Sequence, residues 1–62
     1  MLGQTIDEAF NIELGMDNYD HTYYVNDKIN RKVMWFDTLS QARNHFEREV
    51  DYRKRVQRMK GY

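Results

Sequence analysis

Phe10-Asn11-Ile12-Glu13-Leu14-Gly15-Met16 is the stretch on which the fold turns. Its apolar residues fall at every second position, so a strand would carry Phe10, Ile12, Leu14 and Met16 on one side. A helix competes with that pattern. Thr5-Ile6-Asp7-Glu8 has capping-box spacing, Gly15 suits a helix stop, and Ile6, Phe10 and Leu14 would share a helical face. Ile12 lies well outside that face, and the strand is preferred. Asp17-Asn18-Tyr19-Asp20 then turns the chain into a second strand. The expected fold is α+β, a three-stranded antiparallel meander followed by one long C-terminal helix. A helix–hairpin–helix arrangement stays open as the alternative.

Outward from that stretch, residues 22–25 and 32–36 are rich in β-branched and aromatic side chains. The turn-forming run Asn26-Asp27-Lys28-Ile29-Asn30-Arg31 joins them as a hairpin. Alternation puts Val33 and Trp35 on one face and Met34 and Phe36 on the other, while Tyr23 and Val25 oppose Thr22 and Tyr24. One face packs on the helix. The other is also apolar and is either covered by the N-terminal segment or partly exposed.

The C-terminal helix is the clearest element. Thr38 is a good N-cap, Gln41 completes the capping-box spacing, and residues 39–60 contain neither Gly nor Pro. Arg55, Arg58 and Lys60 suit the negative end of the helix dipole, and Gly61 suits its termination. At about 100° per residue, Leu39, Ala42, Phe46 and Val50 form one stripe for the sheet. Arg53 and Gln57 end that stripe. Tyr52, Val56 and Met59 form a second one at roughly 200–260° from Leu39, extended backward by His45 and Glu49. Such a helix is about 30 Å long, against about 17 Å for a five-residue strand. Its last turns are therefore expected to project beyond the sheet.

The strand-to-helix junction Phe36-Asp37-Thr38-Leu39, with Ala42 one turn on, resembles the junction in the three-stranded DNA-binding domains at the front of some phage integrases. That resemblance covers only these positions and implies a fold analogy. Those domains tend to be basic on the sheet, whereas Glu13 and its acidic surroundings make this one different.

Composition narrows the function. Residues 1–62 form a single domain, and a chain this short buries only about 60% of the surface its unfolded form exposes. There is no cysteine, hence no disulfide or thiolate chemistry. No apolar run is long enough for a membrane span. Asp7 and Glu8 stand where a secretory signal would be basic and then apolar, so the cytoplasm is the expected location. Net charge is zero but divided: residues 1–27 carry six acids and no Lys or Arg, whereas residues 28–62 carry ten basic groups and four acids. The two halves either attract each other within the fold or seek charged partners.

No glycine-rich phosphate loop or nucleophile elbow is present, and so small a core leaves little room for a pocket. Neither an enzyme, a cofactor, a small-molecule substrate nor a metal site is expected. His21 and His45 are remote from each other, and residues 17–20 lack the glycine and terminal Glu of a calcium loop.

The expected function is binding, as an adaptor or inhibitor. Tyr52, Val56 and Met59 would anchor a protein partner or a second copy, with Arg53 and Arg55 at the rim. The alternative is a nucleic-acid binder using Arg53, Lys54, Arg55, Arg58 and Lys60. Short chains of this texture, without cysteine or proline, resemble accessory proteins of phages and mobile elements. That likeness implies action on host machinery in the host cytoplasm.

Overall fold

The computed structural model describes the backbone of residues 3–60 and the side chains of residues 3–57. Four strands, β1 (Gln4–Ala9), β2 (Ile12–Met16), β3 (Tyr23–Asp27) and β4 (Lys32–Phe36), form an antiparallel meander in sequence order. The helix α1 (Leu39–Lys60) follows and packs against β2, β3 and β4. The α+β expectation of a sheet followed by one C-terminal helix is met. The strand count is corrected from three to four, and residues 4–16 form a strand pair and not a helix.

The correction has a local cause. Phe10 does not belong to the strand that its alternation suggested. Phe10 and Asn11 both adopt left-handed backbone, with φ of 52° and 64°, between the paired residues Ala9 and Ile12. Two positive-φ residues are what a type I′ hairpin connection requires. Asn suits such a position, whereas Phe does so at a cost of about 1–2 kcal/mol. The supposed capping box is consumed by β1. Thr5 donates its hydroxyl across the sheet to the Glu13 carboxylate instead of capping a helix. A bulge at Ile6, where the register shifts between Thr5 and Asp7, broke the period that would have marked β1 as a strand.

The turns follow from short polar side chains. The Asp17 carboxylate accepts from the Tyr19 N–H at 2.8 Å, and the backbone of Asp17 bonds Thr22 and His21. Asp27 likewise accepts from the backbone N–H groups of Ile29 and Asn30 at 3.1 and 3.2 Å. At the helix start the Thr38 hydroxyl accepts from the Gln41 N–H at 3.2 Å.

Ile12, Leu14 and Val25 from the sheet meet Ala42 and Phe46 from the helix in a buried core, with Ala9, Tyr23, Phe36, Leu39 and Val50 packed around it. The expected stripe Leu39–Ala42–Phe46–Val50 is thus the face that α1 buries. The opposite sheet face builds a thin layer of its own. Across it, Thr5, Gly15, Tyr24 and Trp35 stand in one row. The Tyr24 ring lies over Gly15 and its hydroxyl donates to Glu13 at 3.0 Å. Trp35 leans on Tyr24 with ring centres 5.5 Å apart, leaving Tyr24 1% exposed.

Candidate functional site

A meander has two edges, and here they are unalike. On β1 the edge is broken by the Ile6 bulge and carries Asp7 and Glu8, with Glu8 bonded to Lys28. Bulges and charges are common guards against unwanted strand pairing. On β4 no bulge interrupts the register, and no further strand pairs with it among the described residues. Three consecutive apolar residues there lie open: Val33 at 38%, Met34 at 48% and Trp35 at 48% exposure.

The direction of the backbone groups on β4 follows from the ladder. The Lys28 N–H bonds the Asn11 carbonyl at 3.0 Å, one step past the Ile12–Asp27 pair. Bonded and non-bonded pairs alternate in an antiparallel ladder. Tyr24 and Asn26 therefore bond β2, while Tyr23, Val25 and Asp27 bond their partners Phe36, Met34 and Lys32. Val33 and Trp35 are left with their N–H and C=O groups pointing outward, available to another strand.

Above this edge hangs one flank of α1. His45 and Glu49, 3.6 Å apart, overlie a groove of about 180 Å³ shared with Val25, Asp27, Lys32 and Met34. His45 also packs on Phe36, ring centres 5.3 Å apart. Further along the same flank a shallow hollow is lined by His45, Arg48, Glu49 and Tyr52. Tyr52 is 66% exposed, and Val56 on the same flank is half-buried. Between Met34 on the edge strand and Tyr52 on the helix, this flank is lined mainly by Asp27, Lys32, His45, Arg48 and Glu49, while Val33 and Trp35 lie on the opposite face of the sheet.

The expected basic residues behave differently from one another. Arg53 turns inward: its guanidinium holds Asp27 at 2.9 Å and the Phe10 carbonyl at 3.3 Å. Both members of that ion pair are largely covered, so Arg53 serves the fold and not the surface rim. Lys54 sits over the Phe10 ring, 5.9 Å from its centre. Arg55 is exposed and paired with Asp51 at 2.9 Å. The side chains of Arg58, Met59 and Lys60 lie outside the described residues.

The sequence leaves the second face of the hairpin covered or partly exposed and assigns Val33, Met34 and Trp35 to no site; the structure exposes all three. A signal existed: a strand apolar on both faces, immediately before a helix that ends the sheet, is an edge unless the chain returns to it.

The sheet's partly covered carboxylates are held ionised by their partners. Burial alone would raise the Asp27 carboxyl. Hydrogen bonds from Asn30 and Arg53, with the Arg53 charge, outweigh it and hold Asp27 below its ordinary value of 3.8. Glu13 behaves alike: burial opposes ionisation, but bonds from Thr5 and Tyr24 and the nearby Lys28 charge keep it below 4.5. Tyr24 is pushed up to about 12 by burial and by the adjacent Glu13 carboxylate.

Among the described residues, no cluster of His, Cys, Asp and Glu has the makings of a metal site, and no helix is long and apolar enough to cross a membrane. Comparison with family models, curated proteins and solved structures finds no match to this chain.

Proposed function

We propose that this chain is a small protein-binding module of the adaptor or inhibitor kind. Its docking surface is the outer edge of β4 together with the His45–Tyr52–Val56 flank of α1. One observation carries this: Val33, Met34 and Trp35 are exposed in succession on a strand whose outward backbone groups are unpaired among the described residues. Backbone hydrogen bonding to an added strand supplies affinity, and the side-chain pockets on either face supply selectivity. Tyr52 is the aromatic anchor, and Arg48 and Arg55 lie at the margin.

The nucleic-acid reading requires basic groups that can turn to phosphates. Arg53 is held inward by Asp27, which takes one of the five expected basic groups out of reach and weighs against it. The test recovers a tagged chain from its source cells at low and high salt, with bound material identified by mass spectrometry. The expected outcome is a protein retained at high salt and lost in a Met34→Lys, Tyr52→Ser variant with unchanged circular dichroism. Recovery of nucleic acid, stripped by salt and lost instead in a Lys54→Ser, Arg55→Ser variant, would overturn it.

A further inference from the structure

We infer that the occupant of this surface is a second copy of the chain, docked β4 against β4 in antiparallel fashion about a two-fold axis at Met34. This rests on the docking surface proposed above and adds the partner and the register.

The edge is complementary to itself. In an isologous pair of antiparallel strands the axis passes between one residue and its own copy. With Met34 at the axis, Val33 faces Trp35 of the second copy, and Trp35 faces its Val33. These are the residues whose backbone groups point outward, so their N–H and C=O groups meet in two bonded pairs flanking the axis. On the open face Val33 covers the exposed side of the other copy's Trp35. On the helical face the two Met34 side chains meet, and the Lys32 stem lies along Phe36 of the second copy.

Charge selects the same register. Around Met34, Arg31 and Asp37, which flank β4 just beyond its two ends, are brought toward each other across the two copies, twice by symmetry. Both residues are exposed. An axis at Val33 would set Arg31 against Trp35 of the second copy. An axis at Trp35 would set Val33 against Asp37. The Met34 register alone among these three pairs Val33 with Trp35 and brings Arg31 toward Asp37 of the other copy.

The remaining geometry agrees. α1 packs against β2, β3 and β4, so it covers the sheet and leaves the outer side of β4 free to pair. The guarded β1 edge stops further addition, so assembly closes at two copies and does not run on as an extended sheet. A short domain without disulfides also stands to gain stability from a partner subunit.

The test is sedimentation equilibrium of the full chain over a wide concentration range, with Trp35 emission as a second readout. The expected result is twice the 7.7 kDa chain mass, with Trp35 emission moving to shorter wavelength as the dimer forms. Met34→Lys, which sets two like charges at the axis, gives a monomer. Asp37→Arg weakens the dimer on the order of tenfold, and adding Arg31→Asp restores it. Because the chain has no cysteine, Met34→Cys reports the register directly by oxidising to a covalent dimer faster than Arg31→Cys. A wild-type chain of single mass at every concentration overturns the dimer. So does a dimer indifferent to Met34→Lys or to the charge swap. If the chain is monomeric while Met34→Lys still abolishes salt-resistant capture of a different protein, the docking surface stands and only the second copy falls.

Discussion

At the scale of single residues, Gly15 and Tyr24 show how the sheet's open face is built. A Cβ added at Gly15 would lie 2.2 Å from the Tyr24 ring, and that ring is held by Trp35 and by its bond to Glu13. With Tyr24 buried, the ring has nowhere to yield. Gly15→Ala is therefore expected to cost about 1–3 kcal/mol in urea denaturation, and a cost under a few tenths would contradict this packing. Tyr24 makes a second prediction. Its folded pKa of about 12 lies above the ordinary value of 10.0, so folding favours its protonated form. That contribution is complete below pH 10 and is lost as the pH rises toward 12. In a phenolate absorbance titration, a step near pH 12 is expected, and Tyr24→Phe removes it.

At the scale of elements, the interest lies in where the core stripe of α1 gives way. Three residues past Val50, the same helical face carries Arg53, which ends the apolar packing with an ion pair to Asp27 at the end of β3. The same guanidinium reaches the Phe10 carbonyl, steadying a turn in which an aromatic residue is held at positive φ. One side chain thus ties helix, hairpin turn and central strand. Arg53→Met keeps the aliphatic length and removes the bonds, with an expected loss of about 2 kcal/mol. Asp27 adds a pH dependence. Its folded pKa is depressed, so its contribution is present above the unfolded value near 3.8 and is lost as pH falls through the lower folded value. Thermal melts between about pH 6 and pH 2 are expected to show a shallower acid decline for Asp27→Asn than for the native chain. Equal slopes would exclude Asp27 from the acid response.

At the scale of the whole molecule, the divided charge finds an internal use. The acidic first half and the basic second half meet through Glu8 with Lys28 and Asp27 with Arg53. Part of the asymmetry that suggested a charged partner is thus spent within the fold. What remains unbalanced is apolar: one guarded edge, one open edge, and a helix flank above the open one. The dimer is the prediction at this scale, and the single tryptophan lies on the surface that it would cover.

The sequence by itself determined the local features. Helical period marked Leu39, Ala42, Phe46 and Val50 as the buried face and Thr38 as the cap, and the polar run at 17–20 forms a turn, whereas of the expected turn 26–31 only 28–31 is one, since Asn26 and Asp27 extend β3. Each depends on residues within a few positions of one another. Three matters were decided only by tertiary structure: the turn at Phe10, the inward swing of Arg53, and the openness of β4. Phe10 accepts a costly backbone because strand pairing on both sides requires a reversal there. Arg53 turns inward because Asp27, 26 positions away, is brought beneath it. An edge exists only in relation to strands that are paired, and pairing joins residues that spacing along the chain does not connect. Tyr52 was legible from the helix alone, whereas Val33, Met34 and Trp35 became a surface only once the sheet had taken its order.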